Sequence, residues 1–129
     1  MELAAQGAHV TITGRTEREG DSRWPGSLES TIEEARALGG TIEGVVCDHR
    51  DDGQVGAVFD RVRADRGHLD LLVNNAFLIP DDMDPQLPFW KTELDCWDDM
   101  HEVGVRSAYV GTWHAAPIMI DQGLSLIHI

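Results

Sequence analysis

Three short runs rich in β-branched residues and leucine, set apart by longer amphipathic stretches, limit what this chain can fold into more than any other feature. They are Ala8 to Thr13 (AHVTIT), Thr41 to Cys47 (TIEGVVC) and Leu69 to Val73 (LDLLV). Each has the length of one strand, and their nearly continuous apolar character suits strands covered on both faces. Between them the apolar residues recur at helical spacing. Strands alternating with helices make βαβ units, so the sequence predicts an α/β fold with a parallel sheet and right-handed crossovers.

The punctuation agrees with this. Met1 to Gln6 reads as the last turns of a helix stopped by Gly7. Gly14 closes the first strand, and the polar stretch Glu17 to Gly26, with Pro25, reads as a loop. A helix is predicted from Ser27 to Leu38, with Leu28, Ile32, Ala35 and Leu38 on one face and only a weak cap in Ser27 and Ser30. Gly39-Gly40 ends it. Asp51 or Asp52 caps the next helix, carried by Val55, Val58, Phe59 and Val62 and stopped at Gly67. Pro80, Pro85 and Pro88 exclude regular helix or central strand from 80 to 90. A long helix is predicted over Leu94 to Asp121, kinked or shortened by Pro117, and Leu124 to Ile129 (LSLIHI) reads as strand.

The 129 residues suffice for one domain. A net charge of -13 argues against nucleic acid and anionic membrane surfaces as partners, since both call for a basic face. No apolar run is long enough to span a bilayer, and the first residues lack the pattern of a secretory signal. Cys47 and Cys96, far apart, read as reduced, buried thiols, which with the rest makes the cytoplasm the expected location.

In open α/β sheets ligands sit outside the carboxyl ends of the strands, so the three strand ends hold the candidate chemistry. In a dinucleotide-binding fold the second strand ends beside the adenosine ribose, where an acid selects NAD. Here that end reads Thr13-Gly14-Arg15. A guanidinium there can pair with a 2′-phosphate, and is as readily a solvated surface arginine. The second end, Cys47-Asp48-His49, offers a short acceptor for an adenine amino group or an ordinary Asx turn. The third, Asn74-Asn75-Ala76, places adjacent amides after a buried strand, able to hold neighbouring backbone and to face a ligand.

DLLVNNA resembles the NNAG motif of short-chain dehydrogenases/reductases, and the order VTITGR, VVCDH, LDLLVNNA and then a long helix resembles that family's middle segment. The likeness runs from Met1 to about Gly123. It implies an incomplete Rossmann fold: a doubly wound parallel sheet lacking the first strand and the C-terminal catalytic part, with residues 1–123 a partial NAD(P)-binding domain. By the same resemblance Arg15 binds the 2′-phosphate of NADP, preferred over NAD. Asp48, with His49 beside it, contacts adenine, and Asn74, Asn75 and Ala76 line the cofactor and steady the sheet. The implied chemistry is hydride transfer between nicotinamide and a carbonyl or alcohol substrate, in a parent that is a homo-oligomer.

The departures bear on activity. Phe77 stands where NNAG has glycine, and Gly104 stands where the family's long helix carries an asparagine of the proton relay. The glycine-rich TGxxxGxG turn is not in the sequence and is expected upstream of Met1. No YxxxK occurs, the only tyrosine being Tyr109 and the only lysine Lys91, so no catalytic residue is assigned and the chain alone is expected to be inactive. Residues 124–129 resemble either the start of the family's next strand or the terminal peptide left by read-through, and the second, a non-native tail, is the favoured expectation. His101-Glu102 is not a zincin motif, because Val105 takes the second histidine's place, and His49, His101 and His114 lack ligand spacing, so no metal is expected. A non-catalytic nucleotide-binding or partner-binding module is the alternative. A flavodoxin-like phosphoacceptor is disfavoured, since only Asp48 fits its acidic pocket.

Overall fold

A computed structural model describes residues 1–23, 25–80, 83–84 and 86–123. The predicted strand at 124–129 lies outside them. The chain divides into two compact units, Met1–Asp48 and His49–Ile129.

The first unit contains α1 (Glu2–Ala5), β1 (His9–Gly14), α2 (Leu28–Ala37) and β2 (Thr41–Val46). The strands are parallel and in register from His9↔Thr41 to Gly14↔Val46. Cys47 N–H extends the ladder by donating to the Gly14 carbonyl at 2.9 Å. Ala4, Ala35 and Ile42 form the buried core, with Val10, Ile12 and Ile32 packed against it. Gly40 makes that core geometrically feasible, because a Cβ there would stand 2.6 Å from the Ala4 Cβ and 3.0 Å from the Ala35 carbonyl oxygen. The cap of α2 is stronger than its sequence suggested. Ser30 replaces the usual Glu or Gln of a capping box, so that the Ser27 hydroxyl accepts from Ser30 N–H and the Ser30 hydroxyl from Ser27 N–H, each at 3.0 Å.

β1 departs from expectation in burial: Val10 to Gly14 are half-buried rather than enclosed. Among the described residues the sheet has two strands, so β1 has β2 on one edge only.

The second unit contains α3 (Asp52–Arg66), a 3-10 turn at Phe89–Lys91, α4 (Leu94–His101), a π-helical turn at Glu102–Arg106 and α5 (Ser107–Asp121). Asp51 caps α3, its carboxylate accepting from Gly53 and Gln54 N–H at 2.9 and 3.1 Å. Gly67 ends α3 in the left-handed region at φ 71°. Val55 and Val58 of α3 and Ala115, Ile118 and Met119 of α5 are buried. The two helices pack closely at Gly56, where a Cβ would stand 3.1 Å from the His114 ring, and Phe59 stacks on that ring at 5.7 Å.

The predicted long helix is present but breaks its rhythm away from Pro117, which α5 carries within it on the way to Asp121. The irregular turn is at 102–106. There Ser107 N–H donates to the Glu102 carbonyl, five residues back, while the Ser107 hydroxyl donates to the Val103 carbonyl, four back. The hydroxyl thus takes the i−4 carbonyl while the backbone N–H reaches the i−5 carbonyl, the hydrogen bonding of a π turn.

The strand predicted at Leu69 to Val73 is not formed. None of these residues pairs in a sheet among the described residues, and Leu71 and Val73 are 57% and 64% exposed. The Gln122 side chain stands in for a partner strand at one residue only, accepting from Leu69 N–H at 2.7 Å and donating to the Leu69 carbonyl at 3.2 Å. In the doubly wound order 3-2-1-4 the fourth strand lies beside the first. The resemblance implies a sheet lacking that first strand, and among the described residues no strand stands beside this run.

Among the described residues no helix is long and apolar enough to cross a membrane.

Candidate functional site

In the first unit the ladder decides where the candidate residues emerge. Because Gly14 is in register with Val46, Arg15 and the Cys47-Asp48 dipeptide leave adjacent parallel strands at the same carboxyl edge. Gly14 is tightly placed, with a Cβ reaching 3.4 Å from the Leu28 side chain at the start of α2. Arg15 is exposed and, among the described residues, has no hydrogen-bond or ion-pair partner. Asp48 is half-buried. The edge thus offers an uncommitted guanidinium beside the end of a neighbouring strand that carries a carboxylate.

In the second unit His49 opens the chain towards α3 and is half-buried. Asn74 and Asn75 are exposed and Ala76 is half-buried. Asn74 is tied to α5: its Nδ2 donates to the Thr112 hydroxyl at 3.1 Å. The sequence placed these amides at the end of a buried strand. They instead follow a segment that pairs with no strand among the described residues, and Asn74 is held to α5 through Thr112.

Sequence reasoning missed an ionic lattice in this unit. Arg106, in the π-helical turn, donates from both terminal nitrogens to the Asp52 carboxylate at 2.7 and 2.6 Å. This fork holds the Asp52 carboxyl below its ordinary pKa and raises that of the Arg106 guanidinium. Asp51 is also lowered, chiefly by the Gln54 backbone N–H it accepts from as the cap of α3. Arg50 donates to Asp99 at 2.9 Å and lies 3.6 Å from Glu102. The two arginines therefore bind the start of α3 to the irregular part of the long helix. The only local signal was the Asp51-Asp52 pair: one carboxylate caps, and the other is left for an arginine 54 residues away.

An open groove of about 640 Å³ lies along that long helix, lined by Asp98, His101, Glu102, Val105, Arg106 and Tyr109. His101 stacks on Trp97 at 3.7 Å, and its Nδ1 is 2.8 Å from the Trp97 carbonyl, which orients the ring. Among the described residues no three His, Cys, Asp or Glu side chains are grouped to hold a metal.

Residues 1–129 match the family model described as enoyl-(acyl carrier protein) reductase. The mouse protein named dehydrogenase/reductase SDR family member 1 is 35% identical over 132 residues, covering 100% of this chain and 40% of the relative. Its human counterpart is also 35% identical, over 98% of this chain and 39% of its own length. This chain belongs to the short-chain dehydrogenase/reductase family. The structures agree: a metagenomic short-chain oxidoreductase in complex with NADP superposes with a TM-score of 0.77 at 27% identity, over 96% of this chain and 51% of that one. The fold is accordingly the Rossmann fold of short-chain dehydrogenases/reductases, represented among the described residues by two strands of its parallel sheet. The chain spans about 40% of the length of the curated short-chain dehydrogenase/reductase relatives above.

Proposed function

We propose that this chain is the adenosine-binding segment of an NADP-dependent oxidoreductase that moves a hydride between nicotinamide and a carbonyl or alcohol carbon. The observation that carries the reading is the Gly14-Arg15 end of β1: no carboxylate occupies it, and the guanidinium there is exposed and uncommitted among the described residues. A 2′-phosphate finds charge-assisted donors at such an end, whereas the 2′-hydroxyl of NAD finds no acidic acceptor. Asp48, with His49 following, is the group for the adenine amino edge. Asn74, Asn75 and Ala76 are the segment along which the rest of the cofactor lies. Residues 1–123 then form part of one cofactor-binding domain. The cofactor, when bound, supplies the hydride. These residues bind and orient it, and none of them is a proton donor for the substrate.

The exposed faces of α4, the π-helical turn and α5 present Leu94, Trp97, Val105, Tyr109 and Trp113, each at least 63% exposed. A patch of this kind marks a protein interface, and a second copy of the chain is the occupant this reading assigns, in a homo-oligomeric cytoplasmic parent.

Calorimetric titration of the chain with NADP⁺ and NAD⁺ tests the proposal. A charge-assisted contact to the 2′-phosphate should favour NADP⁺ by about tenfold or more, and Arg15→Ala should erase the preference. Equal binding of the two by the wild type would overturn the assignment. A hydride-transfer assay with NADPH and reactive carbonyls should show no turnover.

A further inference from the structure

The two neighbouring amides of the NNA segment are not equivalent. Asn74 Nδ2 donates to the Thr112 hydroxyl at 3.1 Å, and that hydroxyl donates in turn to the Ala108 carbonyl at 2.8 Å. Thr112 has one proton to give and gives it to the helix, so only its lone pairs face Asn74, and the direction of the chain is fixed. The other end of the same amide, Oδ1, fills the space over Gly111: a Cβ there would stand 2.9 Å from it. Gly111 is buried in the middle of α5. Glycine inside a helix costs stability relative to alanine, and the Asn74 amide supplies a reason for it. Asn75 is exposed and has no hydrogen-bond partner among the described residues.

We infer that Gly111 and Thr112 are positioning residues: together they form a notch on α5 that seats the Asn74 amide, sets the path of Asn75 and Ala76, and leaves Asn75 as the amide that meets a ligand. This rests on the reading that residues 74–76 line the cofactor. Asn74 is then a strut, its Nδ2 bonded to Thr112 and its Oδ1 packed over Gly111 of α5.

The test uses the full chain with nitrogen-15 labelling, as wild type and as Thr112→Val, Thr112→Ser and Gly111→Ala. In the wild type the Asn74 side-chain NH2 should show cross-peaks to protons of Gly111 and Thr112. Thr112→Val, which keeps the shape and removes the hydroxyl, should move those NH2 signals and the backbone amides of Asn75 and Ala76, and Thr112→Ser should restore them. NADP⁺ binding should weaken by about threefold to tenfold in Thr112→Val and Gly111→Ala, and stay at the wild-type value in Thr112→Ser. Missing cross-peaks in the wild type overturn the notch without needing any variant to fold. Cross-peaks present with Asn75 and Ala76 amides unmoved in Thr112→Val overturn the positioning role, as do moved amides with unchanged NADP⁺ affinity. If the wild type binds no NADP⁺, the cofactor reading fails, and the notch is still judged by whether those amides move.

Discussion

In residues 1–48 the runs HVTITG and TIEGVV lie side by side in a parallel ladder, whereas in residues 49–129 the run LDLLV, apolar but for Asp70, pairs with no strand among the described residues. The helices on both sides of this divide form where the sequence placed them, with caps at Ser27 and Asp51 and a glycine stop at Gly67. The contrast follows from where backbone hydrogen bonds go. A helix satisfies its N–H and C=O groups internally, within reach of local pattern and caps, but a strand needs a neighbour. The Gln122 amide serves one residue of LDLLV and no more. Apolar periodicity therefore reports the capacity to form a strand, and the rest of the sheet decides whether it does.

The largest effect that would sharpen this contrast is expected at Gly40. Gly40→Val places a branched side chain against Ala4 and the Ala35 carbonyl and should destabilise the first unit by about 2–3 kcal/mol, read as loss of protection at the amides of β1 and β2. Unchanged protection there would show that the core does not depend on that close approach. Next is Ser27→Ala, which removes the capping box of α2 and should cost about 1 kcal/mol, seen as fraying at Ser30 and Thr31 in denaturant titrations. Gln122→Ala should cost about 0.5–1.5 kcal/mol and speed exchange of the Leu69 amide. If Leu69 stayed protected, the segment would have a partner other than the Gln122 amide.

The smallest expected effect is at Asp52, which is solvent-exposed. Its carboxyl is lowered from 3.8 by the Arg106 fork. A depressed folded-state pKa stabilises above the unfolded value and is lost as pH falls through the folded one. Asp52 should therefore support the second unit at pH above about 4 and cease to do so in more acid solution. Asp52→Asn should flatten that part of the stability profile, and an unaltered acid limb would show that the fork adds nothing measurable.

These residues also show why some features could be read from sequence and others could not. Gly14-Arg15 and Cys47-Asp48 were legible as neighbouring strand ends, because alternation and the parallel rule fix which edge they reach. The partners of Asn74 at Thr112 and of Asp52 at Arg106 lie 38 and 54 residues away. No local pattern encodes such pairs, since they depend on how a turn and a helix face meet after folding. The π-helical turn was hidden for a related reason. Nothing in the run EVGVRS marks the register shift: Ser107 is an ordinary residue by helix propensity, and the bond from its hydroxyl to the Val103 carbonyl is seen only in the fold. The missing strand was a different kind of error: the sequence implied a sheet without its first strand, and a strand was still expected at LDLLV, which pairs beside that first one.

Hydrogen exchange read residue by residue tests that claim most directly. The amides of β1 and β2 that donate within the ladder should be protected, and those of Asp70 to Val73 should exchange within about tenfold of an unstructured chain. Protection of Asp70 to Val73 equal to that of β2 would mean that LDLLV has found a strand partner, and would contradict the account.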